Sequence, residues 1–245
     1  MLSDKVKSWS AGYSQRATYS TMDRRRYYEI AARYVPASAE AIIVDIGSGD
    51  GGFVDHLKLT ARNDRTYLLD ANPETVRALS SRFERVLLYR APDRLPFDDR
   101  SVSLVHSSHM VEHLGPDQLL ALLREIDRVL LPGGVMVIST PMLWAGFYSD
   151  LSHVRPYNPG VFIHYLCDPG RNRSSESIST GYTVADLVFR YLSRRDMNDG
   201  WGSRYRWLDL LIQVPKRVLD ALGVYPYEKT GYTIVLRKGN AAGSV

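Results

Sequence analysis

"VDIGSGDGGFVDHL", Val44 to Leu57, is the stretch that decides the fold of this chain. Ile42, Ile43 and Val44 form a short apolar run of the kind buried as a strand in a parallel sheet. Phe53, Val54 and Leu57 then begin a helical spacing. Between the two lie Gly47, Gly49, Gly51 and Gly52. Glycine permits a tight turn and lets a ligand approach the backbone closely. Gly47, Gly49 and Gly52 also satisfy the dinucleotide-binding spacing. Asp45 opposes that reading, because its carboxylate stands where a pyrophosphate would pass. Asp50 adds a second negative charge at the helix start. A ligand with a cationic part and one carboxylate suits the loop better than a phosphate ester.

Outward from the loop, apolar runs and helical patterns alternate. The spacing predicts strands at Ala41–Ile46, Thr66–Asp70, Arg85–Tyr89, Val102–Ser107 and Val135–Thr140. It predicts helices at Arg24–Tyr34, Gly52–Leu59, Pro73–Phe83 and Pro116–Leu131. In the last of these, Leu119, Leu120, Leu123, Ile126 and Leu130 make one stripe, and Pro132-Gly133-Gly134 is expected to stop the helix. Strands alternating with helices imply an α/β fold, a doubly wound, mostly parallel sheet covered on both faces. Ligands of such sheets bind beyond the carboxyl ends of the strands. Asp45, the glycine loop, Asp70, Ser107 and Thr140 all fall at those ends, which puts one site there.

The composition sets outer bounds. The chain has 245 residues, 44% hydrophobic and 24% charged, enough for one large domain or two small ones. A single domain is expected, with leader and helix in 1–40, core in 41–141, insertion in 142–181 and C-terminal elements in 182–245. The one cysteine, Cys167, allows no disulfide framework and fits a reducing cytoplasm. No apolar run approaches the roughly 20 residues that span a bilayer, and residues 1–14 lack the apolar stretch of a signal peptide. The net charge of +4 permits an anionic substrate or surface without requiring one.

Four stretches now carry a resemblance: "VDIGSGDGGF", "LLDANPETV", "LPFDDRSVSLVHSSHMVEHL" and "LLREIDRVLLPGGVMVISTP". In order and spacing, over about residues 40–141, they resemble the successive motifs of the class I S-adenosylmethionine-dependent methyltransferases. The resemblance implies a Rossmann-like, seven-stranded sheet whose last strand is antiparallel. It implies S-adenosylmethionine as cofactor, a molecule with an ammonium, a sulfonium and a carboxylate, as the loop chemistry asks. By position, Asp45, Gly47, Ser48 and Gly49 would hold its methionine end. Asp70, with Ala71, would take the ribose, and Ser107, Ser108 and His109 would line the reacting side. Helix capping is the plain alternative for Asp70, and packing is the plain alternative for His113. Two positions depart from the pattern. Ala91 stands where an acid usually meets the adenine amine, and Ser103 replaces the acid of the fourth strand.

After Thr140 the texture becomes irregular and aromatic, with a short helix expected near Pro159–Leu166. Trp144, Phe147, Tyr148, Tyr157 and Phe162 could wall a sugar ring or acyl chain, or simply pack. The stretch "SDLSHVRPYNP", Ser149–Pro159, more loosely resembles bacterial methyltransferases of polysaccharide and lipopolysaccharide assembly. His153 is a candidate general base and Arg155 a candidate anion contact, with loop anchoring as the alternative for both. No His/Cys/Asp spacing points to a metal; Asp150 with His153 is the weakly supported exception. Beyond, a strand at Tyr182–Tyr191, a helix near Arg204–Leu222 and a strand at Tyr232–Arg237 complete the order. The Arg24, Arg171/Arg173, Arg194 and Lys216 runs read as solvated surface. With Trp201, Tyr205 and Trp207 interleaved, the later ones suit an anionic glycan or membrane surface, and are too dispersed for a nucleic-acid site. The expected activity is O-methylation of a sugar, glycan or other small molecule. The rivals are a dinucleotide-dependent oxidoreductase and a non-catalytic binding module on the same fold.

Overall fold

The computed structural model describes residue 19, residues 23–61, 63–168, 177–179, 181–193 and 227–240, and residues 205, 207, 211, 214, 215 and 218. The chain divides into two compact units. One consists of residues 23–188 and 231–245 and holds the glycine loop and every candidate site residue. The other consists of residues 1–22 and 189–230.

The strands and the main α-helices that position the site are α1 (Arg25–Ala32), β1 (Ile42–Ile46), α2 (Gly52–His56), β2 (Thr66–Asp70), α3 (Pro73–Ser80), β3 (Val86–Leu88), β4 (Val102–Ser108), α4 (Pro116–Val129), β5 (Leu130–Pro141), α5 (Pro159–Leu166), β6 (Tyr182–Ser193) and β7 (Tyr227–Lys238). The seven strands form one sheet in the order β3-β2-β1-β4-β5-β7-β6. Neighbours among β1 to β5 pair in parallel, and β7 runs antiparallel to β5. The sheet is therefore the expected doubly wound one. The chain order reverses at β1, with β2 on one side and β4 on the other. Parallel sheets of this kind bind ligands at that crevice.

The central strand explains why. All five residues of β1 are buried, as a strand covered on both faces requires. Val44 and Ile43 reach zero exposure, as do Leu68 and Leu69 of β2. On α4 the buried stripe is Leu119, Leu122, Leu123, Ile126 and Val129, so the expected Leu120 turns out to be half-buried.

The end of α4 departs from expectation. Pro132-Gly133-Gly134 does not stop the helix, because Val129 already ends it and Leu130 opens β5. Val102 pairs with Leu130 and Leu104 with Val135, so residues 131–134 bulge out of the ladder. Gly133, at φ +80°, makes the turn that a side chain would resist. Elsewhere the expected boundaries shift by a few residues; α3 stops at Ser80 and α2 at His56. Of the expected 204–222 helix, residues 207, 211, 214, 215 and 218 are described and are helical. The leader before Tyr19, the Arg171/Arg173 and Arg194 runs, Trp201 and Lys216 lie outside the described residues.

Candidate active site

At the carboxyl ends of β1, β2 and β4 a cleft of about 490 Å³ opens. Gly47, Gly49, Asp70 and Ala71 line one side, Ser108, His109, Met110 and His113 another, and Tyr89, Arg90 and Ala91 a third.

The loop after β1 is built for a close approach. Gly47, Gly49 and Gly51 have φ of +76°, +53° and +77°, in the left-handed region that side chains resist. A Cβ on Gly47 would sit 2.8 Å from Met110 Cγ, and one on Gly51 2.9 Å from the Phe83 ring. A Cβ on Gly49 would meet nothing of the protein within 4 Å. It would stand in the cleft itself.

Asp70 fastens this loop. Its Oδ2 accepts the Gly49 N–H at 3.0 Å, and its Oδ1 accepts the Asn72 N–H at 2.9 Å. The cap of α3 is Asn72, whose Oδ1 accepts the Glu74 N–H at 2.9 Å, so Asp70 is not the helix cap. Asp70 thus presents a charged edge to the cleft while two amides fix its orientation.

Three expected contacts lie behind the wall. Asp45 is 2% exposed, and its Oδ1 lies 2.7 Å from His106 Nδ1. The His106 ring stacks on Phe53 at 3.7 Å between centroids. Ser48 Oγ donates to the Asp45 carbonyl at 2.8 Å, and Ser107 Oγ donates to the Ile46 carbonyl at 3.0 Å. These side chains shape the floor of the loop from beneath. None of the three lines the cleft.

Sequence reasoning passed over both His106 and Glu112. Glu112 is wholly buried at the foot of the His109–His113 wall. Its Oε2 accepts the Thr140 hydroxyl at 3.1 Å. His109 Nδ1 stands 3.2 Å from its Oε1, and the only buried signal in "MVEHL" was a carboxylate among apolar neighbours. Burial pushes the Glu112 carboxyl up, but the contact and charge of His109, aided by a backbone amide and by His113, hold it below the usual carboxylate range. Its backbone carbonyl accepts the N–H groups of Val154 and Arg155, at 2.9 and 3.1 Å. One residue therefore joins β5, the cleft wall and the insertion.

The expected acceptor residues do not form one surface. His153 is not a cleft residue: its Nδ1 lies 2.7 Å from the Phe147 carbonyl, and its ring is 5.1 Å from that of His113, which does line the cleft. Tyr157 is 4% exposed and donates its hydroxyl to the Leu114 carbonyl at 2.9 Å. With Arg155 it borders a second cleft of about 500 Å³, shared with Leu120, Leu123 and Tyr165. Trp144 is half-buried and Tyr148 is 60% exposed; neither lines either cleft.

Comparison with known proteins agrees with this architecture. The family described as "Methyltransferase domain" matches residues 44–138. A Mycolicibacterium smegmatis protein named "Probable S-adenosylmethionine-dependent methyltransferase" is 34% identical over 118 residues, covering 48% of this chain and 44% of its own. A Marinomonas malonyl-[acyl-carrier protein] O-methyltransferase is 31% identical over 111 residues, covering 43% of this chain and 40% of its own. The chain thus aligns with less than half the length of these two relatives. The crystal structure of an S-adenosylmethionine-dependent methyltransferase from Archaeoglobus fulgidus superposes with a TM-score of 0.60 at 21% identity, over 88% of this chain and 95% of that one. That likeness carries the fold alone. Glycine loop, strands β1 to β5 and sequence match coincide: residues 44–138, which match the family described as "Methyltransferase domain", are the ones that build the loop and the parallel part of the sheet.

Proposed function

We propose that this protein transfers the methyl group of S-adenosylmethionine to a hydroxyl of a sugar, glycan or other small acceptor. The observation that carries the reading is the cleft: open backbone at Gly49 and a fixed carboxylate at Asp70 on one side, imidazoles on the other. In that reading Gly47 and Gly49 receive the methionine end, Asp70 accepts the ribose hydroxyls, and Tyr89 to Ala91 flank the base. Adenine is then held by shape and stacking, since Ala91 has no carboxylate to offer.

Methyl transfer is an in-line displacement at a carbon activated by the sulfonium. Alignment of nucleophile, methyl and sulfur supplies much of the rate, up to several kcal/mol. A hydroxyl nucleophile also has to lose a proton. His109 lines the cleft with Glu112 at its Nδ1, an arrangement that orients an imidazole for this task. His153, set behind His113, is the less direct candidate.

The test is calorimetry of the purified chain with S-adenosylmethionine, its demethylated product and NAD, followed by transfer of labelled methyl to a panel of glycans and small alcohols. Binding of S-adenosylmethionine and of the product, without NAD, is expected. Tight NAD binding alone would move the reading to an oxidoreductase. S-adenosylmethionine binding without transfer to any hydroxyl would favour a binding module.

A further inference from the structure

We propose that Glu112, His113 and His153 form a binding site for a divalent transition-metal ion of the zinc class. One donor atom of each lies within 4.8 Å of the others. Bonds of about 2.0–2.2 Å to one ion would set donors about 3.4 Å apart in tetrahedral coordination, so a small inward rotation of the side chains closes the site. The cluster is invisible in the sequence spacing, because residues 112 and 113 meet residue 153 only through the fold.

Two further observations point to an ion. Glu112 Oε1 is a buried carboxylate oxygen without a well-formed hydrogen bond, faced by His109 Nδ1 at 3.2 Å, and it keeps a lone pair that an ion could take. A wholly buried carboxylate is costly unless cationic or polar partners surround it. Both imidazoles are also set as metal-bound imidazoles are. His113 Nδ1 lies 2.9 Å from the Ser152 carbonyl, and His153 Nδ1 lies 2.7 Å from the Phe147 carbonyl. A carbonyl can only accept, so each Nδ1 carries the proton and each Nε2 keeps its lone pair. Asp150 Oδ2 lies 3.8 Å from His153 Nε2.

Two imidazoles and a carboxylate select zinc, cobalt or ferrous iron over magnesium, which prefers oxygen donors. An ion here would tie the insertion at His153 to the cleft wall at Glu112 and His113. Three protein ligands leave a coordination position for water or an acceptor oxygen; use of that position in methyl transfer rests on the function proposed above, whereas ion binding does not.

The experiment uses the full chain, stripped with a chelator and titrated with Zn²⁺ and, separately, Mg²⁺ by calorimetry. The expected result is one Zn²⁺ per chain and no measurable Mg²⁺ binding. His153→Gln and His113→Asn should each weaken Zn²⁺ binding by more than about tenfold, since even loss of an outer partner of a metal ligand costs that much. Metal-free melting temperatures and far-ultraviolet circular dichroism, measured on the same samples, show whether each variant is folded. Equal Zn²⁺ affinity in the folded variants, or no Zn²⁺ binding by the parent chain, overturns the site and leaves His113 and His153 as loop anchors through their carbonyl contacts. Either outcome leaves the S-adenosylmethionine result standing separately.

Discussion

Replacing Gly49 and Gly51 in turn by alanine separates the two demands on the loop. Both have left-handed φ, +53° and +77°. Each alanine therefore incurs a backbone strain of about 1–2 kcal/mol. The surroundings then diverge. At Gly51 the new Cβ meets the Phe83 ring at 2.9 Å and Leu79 Cδ2 at 3.0 Å, so the core has to move. Overpacking of that kind adds about 1–3 kcal/mol. The sum for Gly51→Ala is about 2–5 kcal/mol, or roughly 4–20 °C in melting temperature for a domain of this size. At Gly49 nothing stands within 4 Å, so only the strain remains and the melting temperature should fall by roughly 2–8 °C. The added methyl occupies the cleft instead. S-adenosylmethionine affinity of Gly49→Ala should drop by more than tenfold, about 1.4 kcal/mol. Thermal melts give the first quantity and calorimetry the second. Wild-type cofactor affinity in Gly49→Ala, or a stability loss as large as that of Gly51→Ala, would refute the assignment of the loop's open face to the ligand.

Other perturbations follow from the same geometry. Asp70→Ala should cost about 1–3 kcal/mol of S-adenosylmethionine affinity, because charged hydrogen bonds are lost, whereas Asn72→Ala should cost about 1 kcal/mol of stability and leave affinity alone; indistinguishable affinities for the two variants would deny Asp70 its ribose contact. His109→Gln should lower methyl-transfer turnover by about 10²–10⁴ with cofactor affinity retained, and undiminished turnover would remove it as the base. The depressed Glu112 carboxyl contributes stability that is present above its ordinary titration range and lost as pH falls through its lower folded value. Melting temperatures between about pH 7 and pH 3 should therefore fall less steeply in Glu112→Gln than in the parent chain, and parallel curves would show that the carboxylate carries no such linkage.

The elements that were legible are those whose signal is local. Ile42–Ile46 and Thr66–Asp70 are short, mostly apolar runs followed by turn residues, and β2 has the expected bounds. The glycine loop announced its position at the switch point through residue type alone. Long-range geometry was not legible. The bulge at residues 131–134 depends on how β4 pairs with β5, so Pro-Gly-Gly read as a helix stop. His106 looked like a strand residue with no task until the fold set it against Asp45. His153 looked like the natural base because a histidine in a loop after β5 must lie near the carboxyl face. The fold places it one ring behind, with His113 between it and the cleft. Side-chain direction at that range is set by loop backbone, which no periodicity encodes.

The way Glu112 grips the insertion has an evolutionary consequence. Its carbonyl holds residues 154 and 155 by their amides, which every amino acid but proline possesses. The grip is thus indifferent to which side chains those residues carry. Val154 is 54% exposed and Leu151 fully so, and neither side chain is needed to keep the segment in place. Such positions can drift or be randomised while the scaffold stays intact. A library varying Leu151 and Val154, sparing Glu112 and leaving out proline at 154, should keep melting temperatures close to that of the parent chain.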